Sequence, residues 1–259
     1  MDITPMITSI VTVLGYFLPL ILLITVAKSA WFKGWLGERL ISFTLQLLLD
    51  RKQYHLINNV TLPTDDGSTQ IDHILVSRFG IFVIETKNMK GWIFGSANQK
   101  QWTQKIFRHT SRFQNPLHQN YKHTRTLANC LGLADDNLFS VVVFVGEATF
   151  KTSMPDNVTY GRGLVRYIRS KTDALLSDQE VAVAVANIQA GRLKPSLHTN
   201  REHVRHVEAI KRQKSDAKHC PACGNDMVLR TAKKGAHAGT AFWGCSTFPK
   251  CRKRIKQAA

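Results

Sequence analysis

Acidic side chains are scarce in this 259-residue chain: 18 Asp and Glu face 35 Lys and Arg, a formal charge of +17. So one-sided a balance points to a polyanionic partner, either nucleic acid or an anionic membrane surface. The deficit is uneven. From residue 194 onward, 15 basic against 4 acidic residues leave +11, and +6 remains for residues 1–193. Cysteine is scarce too. Five in a chain this long exclude a disulfide scaffold. Four of them form two close pairs in the last 40 residues, a pattern that favours metal over disulfides in a chain without secretory context. Cys130, alone in a predicted helix, reads as a small buried apolar residue. There are no internal repeats.

Charge is absent altogether from residues 7–27, ITSIVTVLGYFLPLILLITVA. At about 1.5 Å per residue such a helix crosses a hydrocarbon core of about 30 Å. Pro19 is tolerable in a membrane helix. A cleaved signal peptide competes with this reading, but no Lys or Arg precedes the run, and the run is longer than a usual signal core. A buried soluble helix would show more of a polar face. Residues 1–30 are therefore expected to be a retained single-pass anchor. Lys28, Lys33 and Arg39 follow the span, and Trp31 and Trp35 sit at interface depth. The positive-inside rule then places the globular part on the cytoplasmic side of a bacterial-type inner membrane.

The next segment, GERLISFTLQLLLDRK, is amphipathic, with Leu40, Phe43 and Leu47 at helical spacing. YHLINNVTLP reads as a strand, TDDGS as a turn, and residues 70–88, QIDHILVSRFGIFVIETKN, as a hairpin. Residues 98–116 show little periodicity. NPLHQNYKHTRTLANCLGL reads as a helix, with Pro116 in its first turn and Gly132 near its end. LFSVVVFVG is a strand buried on both faces. Residues 163–174 and 177–192 read as helices, the second opened by a Ser177-x-x-Glu180 capping box. The order predicts an α/β domain over a mixed sheet.

The hairpin carries charges where burial is expensive. If its turn centres between Arg78 and Phe79, Val76 faces Ile81, Ile74 faces Val83, and Asp72 faces Glu85 on one side of the sheet. Two carboxylates so close repel and push one pKa up, which a hard cation such as Mg²⁺ relieves. Lys87 lies on the same face, within reach of a metal-bound water or a phosphate oxygen. Two alternatives stay open. A bulge at Gly80 would slip the register and separate Asp72 from Glu85. The charges could also be a structural ion pair. His73 and His109 read as packing or surface residues.

GERL, QIDHILVSRFGIFVIETKNMKGWIFG and the Trp of QKQW closely resemble the nuclease-related domain (NERD) family, of the PD-(D/E)xK, restriction-endonuclease-like superfamily. The resemblance covers residues 34–146. It implies a restriction-endonuclease-like mixed sheet flanked by helices and a metal-dependent nuclease site. In that site Glu38 matches the acidic residue of the first helix, Asp72 the metal-binding aspartate, and Glu85 and Lys87 the E-x-K pair. Gln119 matches the polar residue of the following helix. Asp72 and Glu85, with the Thr86 carbonyl, would hold Mg²⁺ or Mn²⁺. Lys87 would orient or deprotonate water or stabilise the oxyanion, three roles the resemblance leaves open.

CPACG and CSTFPKC give Cys220-x2-Cys223-x21-Cys245-x5-Cys251, a strong signal for a tetrahedral, structural zinc site of four cysteines. His219 and His237 are weaker ligand candidates than four thiolates. The stretch also resembles the C-terminal zinc ribbon of bacterial type I topoisomerases, which implies single-stranded DNA binding and no topoisomerase activity. Phe242, Trp243 and Phe248 could stack on bases; Lys233, Lys234, Lys250, Arg252, Lys253 and Arg254 could contact phosphates. For each aromatic, core packing is an equal alternative.

The expected organisation is an anchor (1–30), a nuclease-like α/β domain (34–192), a basic linker (193–217) and a zinc ribbon (218–259). The expected function is membrane-tethered cleavage of nucleic acid, most simply DNA. The alternative is a non-catalytic, membrane-tethered DNA-binding protein.

Overall fold

The computed structural model describes residues 4–64, 67–193, 220–231 and 241–256. They form two units, residues 1–195 and 196–259. Residues 194–217 of the basic linker, His219, Lys233, Lys234 and His237 lie outside the described residues.

The first unit opens with α1 (Thr4–Lys28) and α2 (Ala30–Leu48), separated by Ser29, whose side chain caps α2 by accepting from Phe32 N–H. Among the described residues no single helix is long and apolar enough to cross a membrane. The pair Gly15–Lys28 and Ala30–Leu48, bent by 62°, reaches that length and hydropathy together. The face of α2 that meets the domain consists of Gly37, Ile41, Ser42 and Leu45. Leu40, Phe43 and Leu47, the stripe marked by periodicity, are 52%, 62% and 67% exposed instead. The helix carries two apolar stripes, and close approach selects between them. A Cβ on Gly37 would lie 2.9 Å from Asn88 Cβ and 3.0 Å from Val145 Cγ2.

A five-stranded sheet follows, ordered β1-β2-β3-β7-β9. β1 (Tyr54–Thr64), β2 (Gly67–Ser77) and β3 (Gly80–Asn88) form an antiparallel meander. β7 (Leu138–Val145) and β9 (Val158–Tyr160) add in parallel. One face packs against α3 (Pro116–Leu131) and α5 (Asp178–Gly191), with Ile74, Val76, Ile81 and Val83 meeting Leu127, Val181 and Ala184. The other packs against α2 and α4 (Gly161–Arg169), with Leu75, Phe82 and Ile84 meeting Ile41, Leu45, Leu164 and Ile168. Each such buried Val, Ile, Leu or Phe contributes about 1.5–3 kcal/mol, so the strands that carry charge at one end are stiff along the rest. The caps follow the sequence: Asn115 and Pro116 open α3, Gly132 ends it in the left-handed region, and the Ser177–Glu180 box opens α5. Cys130 lies exposed on α3, not in the core, because the buried side of that helix is Asn120, His123 and Leu127.

A second sheet, ordered β6-β5-β4-β8, arises where little periodicity is visible. β4 (Gly91–Phe94), β5 (Gln101–Ile106) and β6 (His109–Gln114) are antiparallel, and β8 (Ala148–Phe150) pairs with β4 in parallel. Trp102 and Ile93 anchor it against Phe144 and Val158. β6 is almost wholly exposed, so alternation fails there. In the second unit, β10 (Met227–Thr231), β11 (Ala241–Cys245) and β12 (Arg254–Lys256) form a small antiparallel sheet.

Gly37→Leu is expected to overpack the α2–sheet contact by about 1–3 kcal/mol, lowering the melting temperature by several degrees in a thermal unfolding scan. An unchanged melting temperature would show that α2 does not need this close approach.

Candidate functional site

The hairpin keeps the symmetric register: Ile74 faces Val83, Val76 faces Ile81, and Ser77 faces Gly80 across a two-residue turn. No bulge intervenes. Gly80 sits at φ 115°, and a Cβ there would lie 2.7 Å from the Phe139 ring and 3.0 Å from the Asn137 carbonyl, so β7 enters directly over the turn. Backbone pairing ends with His73 opposite Ile84. One step further, Asp72 Oδ2 accepts the Thr86 N–H at 2.8 Å, so a carboxylate continues the ladder where the backbone stops. With a side-chain period of two, Asp72 and Glu85 share a face.

That face looks toward α3. Gln119 and His123 are one turn apart there and therefore neighbours. Lys87 Nζ donates to Glu85 Oε1 at 2.5 Å and to Gln119 Oε1 at 2.9 Å. His123 Nε2 lies 3.3 Å from Glu85 Oε2, while its Nδ1 lies 2.8 Å from Thr69 Oγ1. The His123–Glu85 approach is close enough for an ion pair, yet poorly aligned as a hydrogen bond, and the buried Oε2 is left unsatisfied.

Charges crowd this pocket. Glu85 is only 3% exposed, and burial alone would raise its pKa; the Lys87 ammonium and His123 outweigh that and hold it below the ordinary value. Asp72 goes the other way. Burial, then the charges of Glu85 and Glu38, push it well above the usual carboxylate range, against the Thr86 hydrogen bond and Lys87. Glu38, carried in by α2 next to Gly37, is raised by burial and by Glu85. Three carboxylates thus share Lys87, helped by Arg39 at Glu38 and His123 at Glu85. Hard oxygen donors in this state suit a divalent cation.

The two histidines noted in the sequence stay outside this group. His109 is exposed on β6. His73 is buried on the opposite face, its Nδ1 2.8 Å from Asn58 Oδ1, and burial lowers its pKa to about 4.

In the small unit, the ligand sulfurs of Cys220, Cys223, Cys245 and Cys251 all lie within 4.8 Å of one another. Cys220–Cys251 is 3.7 Å and Cys223–Cys245 is 3.4 Å. A tetrahedron with Zn–S of about 2.3 Å has S···S edges of about 3.8 Å, so the cluster fits a structural zinc site. Hydrogen bonds from the Asn225 side chain and backbone lower the Cys223 thiol to about 6, toward the ligating thiolate.

The sequence model of the nuclease-related domain matches residues 33–145, and that of the topoisomerase DNA binding C4 zinc finger matches residues 217–258. An uncharacterized protein of Bacillus anthracis is 42% identical over 157 residues, 58% of this chain and 72% of that relative. The chain belongs to the nuclease-related domain family. Its zinc ribbon is of the topoisomerase type, which suggests DNA binding.

Within that family frame, Glu38, Asp72, Glu85, Lys87 and Gln119 all come together at one end of the main sheet. His123 joins them and was missed; its signal was the i, i+4 spacing from Gln119 on α3. The ribbon divides its candidates. Trp243 packs, partly buried, against the cysteine cluster with Ile255, so it serves the ribbon's core. Phe242 stands on the other face of β11, opposite Arg230 and Lys256, and Phe248 is exposed. Lys250, Arg252, Lys253 and Arg254 are exposed.

Two outcomes are expected. A raised pKa means that folded Asp72 binds a proton more readily than unfolded Asp72. Its ionised form therefore destabilises the fold at neutral pH, and the effect fades as pH falls through the folded pKa. Asp72→Asn should accordingly melt about 2–4 °C higher than the parent without divalent ions, for about 1 kcal/mol of relieved repulsion. The gap should close on acidification, and a lower melting point near neutral pH would refute the crowding. For the ribbon, Cys223→Ser should lose the bound zinc measured by elemental analysis; retained stoichiometric zinc would exclude the four-thiolate site.

Proposed function

We propose that this protein is a membrane-anchored, metal-dependent nuclease whose zinc ribbon binds DNA. The observation that carries the proposal is the convergence of Asp72, Glu85, Lys87, Glu38 and Gln119, with Asp72 and Glu85 held on one face by the hairpin register. Asp72 and Glu85, with the Thr86 carbonyl, would hold Mg²⁺ or Mn²⁺. Bound there, the ion would lower the pKa of a water and offset charge on the reacting phosphate. Lys87 presents a cation to the same place and, tied to Gln119 and Glu85, is fixed in direction. It would orient the attacking water or stabilise a phosphate oxygen. Glu38 adds charge that favours a divalent over a monovalent ion. Gln119 would position Lys87.

The membrane reading is supported by the charge-free residues 7–27 and by the stripe of Leu36, Leu40, Phe43 and Leu47, which α2 leaves exposed beside Trp31 and Trp35. Such a stripe is uncommon on a soluble surface and suits a helix lying at the bilayer interface. Lys28, Lys33 and Arg39 support a cytoplasmic placement of the domains.

A second reading, a non-catalytic membrane-tethered DNA-binding protein, is favoured by one feature: Lys87 and His123 already partner Glu85 internally. The two part in one assay. The full chain in detergent is incubated with single- and double-stranded DNA and RNA, with Mg²⁺, with Mn²⁺ and without either. Cleavage that requires the added ion, and falls about 10²-fold or more in Lys87→Ala and Asp72→Ala at unchanged zinc content, establishes the nuclease. Binding without cleavage under all conditions establishes the alternative.

A further inference from the structure

Between Glu85 and Asp135 the chain has no acidic residue and eight Lys and Arg, and this stretch contains β4, β5 and β6. Among the described residues the second sheet is covered on one side only. Ile93 and Trp102 turn into the core, whereas Trp92, Lys105 and Arg112 lie on the opposite face by register: Trp92 faces Lys105, and Thr103 faces Arg112. Trp92 is 48% exposed, with Lys151 Nζ 4.7 Å and Lys105 Nζ 5.8 Å from its ring centre. At the tip of the β5–β6 hairpin, beside Arg108, Phe107 is 93% exposed at φ 50°. An aromatic so exposed and held in that conformation points to a use other than stability. Glu147, just before β8, is the only acid in residues 86–134 and 147–151.

We propose that this outer face binds single-stranded nucleic acid, with Trp92 as a base-stacking platform and Lys105, Lys151 and Arg112 on the flanking phosphates. The inference rests on the nuclease reading only for its purpose, delivery of a strand to the hairpin site. Trp92 follows Lys87 by five residues, so their Cα atoms are at most about 18 Å apart. The energetics allow a base to enter. An exposed lysine over an indole gains about 0.5–1 kcal/mol, and base–aromatic stacking about 1–3 kcal/mol. A base therefore displaces a lysine, which then pairs with the adjoining phosphate. A duplex offers no open base face and gains only the ionic part. A lipid surface would call for aliphatic side chains, and this face has threonines between its cations.

The test uses the full chain, no divalent ion, and a single-stranded DNA carrying 5-iodouracil, irradiated and then digested with trypsin. Cleavage after Lys90 and Lys100 isolates residues 91–100. Cross-linking to that peptide is expected, lost in Trp92→Ala, retained in Trp92→Phe, and reduced several-fold in Lys105→Glu/Lys151→Glu, with melting temperatures unchanged. Cross-links confined to the ribbon overturn the proposal, as does equal cross-linking by a duplex. So does binding of this face to phosphatidylglycerol vesicles without any cross-link. Because no cleavage is read, failure here leaves the nuclease reading untouched, and an inactive enzyme that still cross-links at 91–100 leaves this surface standing.

Discussion

The pairing of β2 with β3 governs the acidic end of this molecule. A strand presents alternate side chains to opposite faces, so a slip of one residue would turn Asp72 away from Glu85 and send Ile74 and Val76 to the wrong layer. The slip is blocked twice. Gly80 adopts a backbone conformation disfavoured for other residues and lies against the Phe139 ring, which leaves no room for an inserted residue. At the far end, the Thr86 N–H to Asp72 bond ties the first charged position to the second strand. Helix α3 then needs only its ordinary repeat to bring Gln119 and His123 over the pair.

What results is a pocket in which local electrostatics oppose folding while the surrounding packing enforces it. Two apolar layers, one under α3 and α5 and one under α2 and α4, clamp the strands along their length. That stiffness is what keeps three carboxylates together around Lys87, with Arg39 acting on Glu38 and His123 on Glu85. The relief is uneven: Lys87 and His123 hold Glu85 down while Asp72 and Glu38 stay raised, and strongly perturbed carboxylates of this kind cluster at functional sites. The ribbon follows the opposite logic. Among the described residues its buried core is little more than Cys220, Met227 and Cys245, and a zinc ion on the four cysteines would supply the stability that so small an apolar area cannot.

Much of this was legible in the chain. The D…E-x-K spacing, the capping signals of α3 and α5, the fully buried β7 and the four-cysteine pattern each rest on short-range rules, and each appears in the fold where those rules put it. Three features were not legible. Helix α2 has two apolar stripes, and periodicity cannot say which meets the sheet. The β5–β6 hairpin is an edge with one deeply buried anchor, Trp102, and so shows no alternation. His123 was marked among ten histidines only by its i, i+4 spacing from Gln119, which gains meaning once α3 is laid across β3.

Sequence by itself therefore determined which residues could do chemistry and the local elements that carry them, because turns, caps and cysteine spacing act over a few residues. Tertiary structure decided which of them meet. The convergence of Glu38 from α2, Asp72 and Glu85 from the hairpin, and Gln119 and His123 from α3 joins positions up to 85 residues apart (38 to 123). The same packing decided that Trp243 supports the ribbon core while Trp92 faces solvent between two lysines. Burial and electrostatic coupling are properties of what lies across the gap, and no local rule contains that.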